Sequence, residues 1–158
     1  MKCVRFVLSI FAAALLVAGC ASAPKAAAKA QAPEASAKAP EWRTFRGKVT
    51  AIEKYGHAVT DIAFADMQKA GYEHGDIVTV RFDNGYTFSA PVVANYDVDK
   101  GAFLVRTNHA GGFIAACINY GKLNVTAKVG VGSALTVSMK QKGGYREQYA
   151  LRALSKSD

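Results

Sequence analysis

The residues Asp83-Asn-Gly85 stand between two apolar runs, Ile77 to Phe82 and Tyr86 to Val93. Side chains on a strand point alternately to opposite faces, so a period of two marks a half-buried strand. Asn-Gly supplies the positive φ that a tight turn needs, and between two such runs it is the strongest short-range hairpin signal. The same grammar continues along the chain. Thr44 to Glu53 sets Phe45, Val49 and Ala51 against Arg46, Lys48 and Thr50, and His57 to Ile62 is a shorter run. Further strands are expected at Ala102 to Thr107, Phe113 to Asn119 and Ser133 to Lys140, after which Lys142-Gly-Gly144 turns the chain into Tyr145 to Leu154. Ala63 to Ala70 reads as a short helix stopped by Gly71. Phe64 to Met67 and Lys122 to Lys128 are the only helical candidates. The expected class is all-β: a small, closed or nearly closed barrel of seven or eight mostly antiparallel strands with one or two short helices.

The start of the chain carries a different pattern. Met1 to Arg5 is basic, Phe6 to Ala18 is an apolar run of about 13 residues, and Val17-Ala-Gly-Cys20 is a lipobox. A run of that length suits a signal peptide and is well short of the roughly 20 residues that span a bilayer. We therefore expect a lipoprotein signal peptide at residues 1–19, with Cys20 acylated and holding the chain to membrane lipid outside the cytoplasm. Two acyl chains already give durable anchoring. Ala21 is not aspartate, which in a cell with two membranes resembles sorting to the periplasmic face of the outer one. Ala21 to Pro40 is built almost wholly of Ala, Lys, Pro, Ser, Gln and Glu, so residues 20–41 read as a tether. Residues 42–155 remain for one barrel domain.

Charge and cysteine content narrow the function classes. The formal charge is +8, and loss of Lys2 and Arg5 with the signal takes it to about +6. The basic residues are scattered through alternating strands without a stripe of interleaved aromatics, so no nucleic-acid partner is expected. Cys3 leaves with the signal and Cys20 is acylated, so Cys117 has no partner and reads as a buried, inert thiol. His57, His74 and His109 show no metal-ligand spacing, and Asp97-Val-Asp99-Lys-Gly101 lacks the further oxygen ligands of a calcium loop. No Gly-x-Ser-x-Gly elbow and no glycine-rich phosphate loop occurs. No metal and no cofactor is expected. What remains is a set of polar and aromatic residues at strand ends and turns: Tyr55, His57, Thr60, Asp61, Asn95, Tyr96, Asn108, His109, Asn119 and Tyr120. Loops on a rigid scaffold are where function collects, though turn and rim roles fit these residue types equally.

Several of those segments fall in an ordered series. Gly47-Lys-Val-Thr-Ala-Ile-Glu-Lys-Tyr-Gly-His-Ala-Val-Thr-Asp-Ile62 comes first, then Gly75-Asp76 with Val78 and Val80, then Tyr96-Asp-Val98 before Gly101. Gly112-Phe-Ile-Ala-Ala-Cys-Ile-Asn-Tyr-Gly121 closes it. From about Gly47 to Met139 the chain resembles the C-terminal domain of the S-adenosylmethionine hydroxide adenosyltransferases, the family that includes the fluorinase and chlorinase. The resemblance implies a barrel that supplies adenine contacts. Tyr55 and His57 lie where that family has the Phe and Asn of a Phe-Gly-Asn motif, Tyr96 lies near the ring that packs on adenine, and Asn119 to Gly121 match a stretch whose backbone faces the base edge. Tyr55, His57, Tyr96, Asn119 and Gly121 are thus the expected ligand-binding residues. The family's trimeric assembly implies a homo-oligomer, with an envelope protein as the other candidate partner.

The departures point away from catalysis. The family's N-terminal domain, which carries its catalytic aspartate, has no counterpart in this sequence. His57 stands where the motif has asparagine, Asp61 where Thr-Asn-Ile has asparagine, and Asn108-His109 does not match the expected polar-arginine pair. The lipobox also places the barrel away from a cytoplasmic substrate. The expectation is a non-catalytic binding or interaction module, with no catalytic residue assigned. The alternative is a hydrolase-type enzyme, either completed in trans by a separate catalytic domain or using His57 with Asp61 as a general base.

Overall fold

The computed structural model describes residues 41–155. The expected signal peptide, the acylated Cys20 and all of the expected tether but Glu41 lie outside the described residues. In chain order the elements are β1 (Phe45–Ile52), β2 (Ala58–Ala63), α1 (Phe64–Lys69), β3 (Ile77–Phe82), β4 (Thr87–Val93), β5 (Phe103–Arg106), β6 (Phe113–Ile118), α2 (Leu123–Ala127), β7 (Ala134–Gln141) and α3 (Arg146–Leu154). The seven strands close into a barrel in the order β1-β2-β6-β5-β4-β3-β7, with β7 returning to β1 through Phe45↔Val137 and its neighbours. Every pairing is antiparallel except β4 with β5, which run parallel through Val92↔Val105. This is the small all-β barrel that the alternating runs imply.

The hairpin at Asp83-Asn-Gly85 forms as the sequence indicates, closed by Phe82 N–H donating to Tyr86 C=O at 2.9 Å. Gly85 takes the left-handed conformation (φ 87°) that a three-residue hairpin loop needs. Asn84 stays at negative φ and ties the loop to α2 through its amide, which donates to Ala127 C=O at 2.8 Å.

Period-two patterning puts one face of each strand inside the barrel, where Val49, Ile62, Val80, Phe82, Val92 and Ile114 pack in one cluster. A second cluster lies on the opposite face: Val59, Val93, Val98, Leu104, Ala115 and Cys117, flanked by Tyr96, Tyr145 and Tyr149. On β6, Ile114, Ala116 and Ile118 join the inner cluster while Ala115 and Cys117 join the outer one. Burial on both faces explains why Phe113 to Ile118 reads as an unbroken apolar run.

One expectation is corrected. The segment after Lys142-Gly-Gly144, read from sequence as an eighth strand, is the helix α3. Arg146-Glu-Gln-Tyr-Ala-Leu-Arg-Ala-Leu contains no β-branched residue and is rich in good helix formers. Tyr145 and Tyr149, one turn apart, face the outer cluster. Asp76 holds the turn before this helix in place. Its buried carboxylate accepts Gly143 N–H at 2.7 Å, Glu73 N–H at 2.7 Å and Lys142 Nζ at 3.0 Å.

Candidate functional site

The β1–β2 turn brings Lys54, Tyr55 and His57 to one end of the barrel. Gly56 turns the chain at φ 81°, its N–H donating to Glu53 C=O at 2.7 Å, and Glu53 N–H closes the hairpin on His57 C=O at 3.0 Å. Gly56 C=O accepts the Asn124 N–H at 3.0 Å, so the same turn is fastened to α2. Opposite it, the β6–α2 turn carries Asn119, Tyr120 and Gly121, with Tyr120 itself in the left-handed conformation (φ 58°). Such a φ is uncommon for a tyrosine, and Tyr120 is 84% exposed.

These two turns and Tyr96 enclose a pocket of about 520 Å³, lined by Lys54, Tyr55, His57, Tyr96, Asn119, Tyr120, Gly121 and Lys122. All five residues expected to bind ligand line it. One wall is a row of rings: Tyr55 to His57 at 6.1 Å between centroids, then His57 to Tyr96 at 5.4 Å. Lys54 Nζ lies 4.8 Å from the Tyr55 ring centroid and Lys100 Nζ lies 5.4 Å from that of Tyr120. Asn119 plays a supporting part. Its N–H donates to Ala102 C=O at 2.9 Å, its C=O accepts from Gly101 at 2.7 Å, and its side-chain amide donates to Val98 C=O at 2.8 Å. It therefore braces the loop that carries Tyr96 while also lining the pocket beside Tyr120, Gly121 and Lys122.

Behind the ring wall sits a charge network centred on Glu53. Its carboxylate meets His57 Nδ1 at 3.0 Å, Arg106 Nη2 at 3.1 Å and His109 Nε2 at 3.1 Å. Burial pushes the Glu53 carboxyl up, but the His57 hydrogen bond and the charges of Arg106 and His109 outweigh it, so the group lies below the ordinary carboxylate range. An ionised carboxylate can only accept, so the proton between Glu53 and His57 belongs to Nδ1. The Tyr96 hydroxyl lies 3.1 Å from the same Nδ1, so Glu53 and Tyr96 together fix the ring's orientation. Arg106 Nη1 donates to the Tyr96 hydroxyl at 2.6 Å, and its guanidinium carbon lies 5.1 Å from the Tyr96 ring centroid. Burial raises the Tyr96 phenol, with Arg106 opposing it, so the hydroxyl stays protonated at neutral pH.

The rest of the polar set divides cleanly. Asp61 turns away from His57 and accepts the Lys48 N–H at 2.8 Å, so the proposed His57–Asp61 pair does not form; the carboxylate beside His57 is Glu53. Thr60 donates to Ile114 C=O at 2.9 Å inside the barrel wall, and Asn108 donates to Asn95 at 3.2 Å in exposed loops. Asp99 pairs with Arg152 Nη2 at 2.6 Å. Among the described residues no group of three or more His, Cys, Asp or Glu side chains is placed to hold a metal ion. Sequence reasoning passed over Arg106. Its signal was an arginine closing the apolar run Phe103-Leu-Val105, on the same strand face as the fully buried Leu104.

No family model and no curated protein matches the chain. Among solved structures, an uncharacterized conserved protein from Thermotoga maritima is similar over 60% of this chain and 35% of its own, at 27% identity and a TM-score of 0.55. A conserved hypothetical protein from Thermus thermophilus matches at 17% identity and a TM-score of 0.42, over 58% of this chain and 34% of its own. The second likeness carries no argument. The chain thus spans about a third of the length of these structures.

Proposed function

We propose that this barrel is a non-catalytic binding module for a nucleoside-like ligand, held to a membrane through Cys20 outside the cytoplasm. The observation that carries the reading is the pocket itself. Tyr55, His57, Tyr96, Asn119 and Gly121, the residues that the family resemblance indicates, come from three separate loops and together line one cleft. Its volume of about 520 Å³ falls within the range of small-molecule sites, and the wall of rings offers the apolar face that a purine stacks on. The resemblance to the adenosyltransferase C-terminal domain supports adenine as the first ring to test.

The same geometry argues against turnover. Among the described residues, the carboxylate in contact with the pocket-lining His57 is Glu53, and it is shared with Arg106 and His109, which makes it a weak base. Titration calorimetry of the full-length chain with adenosine is the direct test. Saturable heat that falls in Tyr55→Ala is expected, by about five- to fiftyfold in affinity for the loss of one stacking ring. Absence of heat with adenosine and with S-adenosylmethionine contradicts the proposal. Adenosine release from S-adenosylmethionine, abolished in His57→Ala, would contradict its non-catalytic part.

A further inference from the structure

The rim of the pocket is cationic, a charge that an uncharged nucleoside does not engage. Lys54 and Lys122 line the cleft from its two sides, one on each turn. Lys100 joins them from the neighbouring loop, held over the Tyr120 ring. Among the described residues none of these three lysines forms an ion pair, and no acidic residue lines the pocket. Glu53, behind the wall, is already paired with Arg106 and in contact with His57 and His109. The lysines flank the exposed aromatic faces: Tyr55 is 59% exposed and Tyr120 is 84% exposed. A ring seated between those faces would hold any substituent that leaves the cleft among ammonium groups.

Resting on the proposal that a nucleoside-like ring occupies the cleft, we infer that the ligand carries a phosphate: a nucleoside monophosphate is preferred over the uncharged nucleoside. Clefts lined by one sign of charge raise the local concentration of the opposite ion, and Lys is a common point-charge partner for phosphate. The same rim repels a cation, so a sulfonium ligand such as S-adenosylmethionine binds more weakly than adenosine monophosphate. The preference is electrostatic and partly exposed, so salt screens it.

The test is a set of calorimetric titrations of the full-length chain with adenosine monophosphate, adenosine, S-adenosylmethionine and inorganic phosphate, at low salt and at about 0.5 M sodium chloride. Adenosine monophosphate is expected to bind at least tenfold tighter than adenosine at low salt, with the ratio shrinking severalfold at high salt. In the Lys54→Ala/Lys122→Ala double variant the ratio of the two affinities is expected to fall towards one. Both lysines are on the surface, so the variant folds, and its circular dichroism checks this. Equal binding of the nucleotide and the nucleoside overturns the phosphate assignment while leaving the nucleoside site standing. A tenfold preference that survives in the double variant overturns it too, because the phosphate would then lie elsewhere. Inorganic phosphate that matches the affinity of adenosine monophosphate also counts against it, since the ring would contribute nothing. Heat from none of the probes overturns both readings together.

Discussion

At the scale of single residues, Glu53 organises the site, because three cationic or proton-donating side chains converge on one carboxylate. Its folded-state pKa lies below the unfolded value, so its contribution to stability is complete above about pH 4.3 and is lost as pH falls through the lower folded value. Glu53→Gln should cost about 1–2 kcal/mol at neutral pH, less than a fully buried pair because the side chain keeps some contact with water. It should also remove that part of the acid limb, which urea unfolding at a series of pH values would reveal. Cys117 makes the opposite case. Burial pushes its thiol up to about 12, so the group stays protonated and closed to reagents. With Cys3 and Cys20 replaced by serine, a thiol reagent at pH 8 should label the chain only after denaturation; rapid labelling of the folded chain would contradict the packing of the outer cluster. These two residues show the uneven legibility of the sequence. Cys117 sits in an apolar run and could be read directly. Glu53 could not, since beyond its neighbour His57 its partners Arg106 and His109 lie more than fifty residues away and reach it only in the folded barrel.

Elements were legible where one face is buried and the turn chemistry is local. The β3–β4 hairpin follows from alternation and Asn84-Gly85, and α1 ends at Gly71, which adopts φ 86°. The helix after Gly144 was read as a strand: its composition favours helix, but the position of Tyr145 and Tyr149 is explained only once their partner surface is known. That surface is the outer cluster, which exists only once β2, β6, β5 and β4 are assembled. The helix α3 is fastened there by Tyr145, whose hydroxyl donates to Asp97 C=O at 3.0 Å, and by Tyr149 packed beside His74 at 5.7 Å between centroids. Tyr149→Ala should destabilise the domain by about 1–2 kcal/mol, since the ring is only partly buried. His74 gives this contact a pH dependence. Burial holds its folded-state pKa below the unfolded value, with Asp97 opposing, so folding favours the neutral ring. The stability it contributes is present above about pH 6.5 and is lost as pH falls towards the lower folded value. His74→Gln keeps a partner for Thr107, which the imidazole now meets at 2.8 Å, and should flatten the pH profile between about 7 and 5. An unchanged profile would mean that other groups set that limb.

For the whole molecule, closure of the barrel turns scattered loops into a site. Pairing of β1 with β2 and of β2 with β6 sets the Tyr55 turn beside the Tyr120 turn, and the loop after β4 brings Tyr96 between them. Four of the five candidate residues stood out in sequence as polar or aromatic residues at turns, but their grouping came only from the resemblance, because a shared cleft depends on strand order that local pattern does not encode. Anchoring is argued at this scale as well. If Val17-Ala-Gly-Cys20 is a working lipobox, labelled palmitate should enter the wild-type chain and not Cys20→Ala, and the variant should leave the membrane fraction. The claim that joins these parts is that the cleft holds a nucleoside-like ring. The most direct measurement is a two-dimensional NMR titration of the chain with adenosine monophosphate. The account predicts saturable shifts concentrated at Tyr55, His57, Tyr96, Tyr120 and Gly121, with Asp61 and the Asp83-Asn-Gly85 hairpin unmoved. Shifts that avoid the cleft, or none at millimolar ligand, would contradict it.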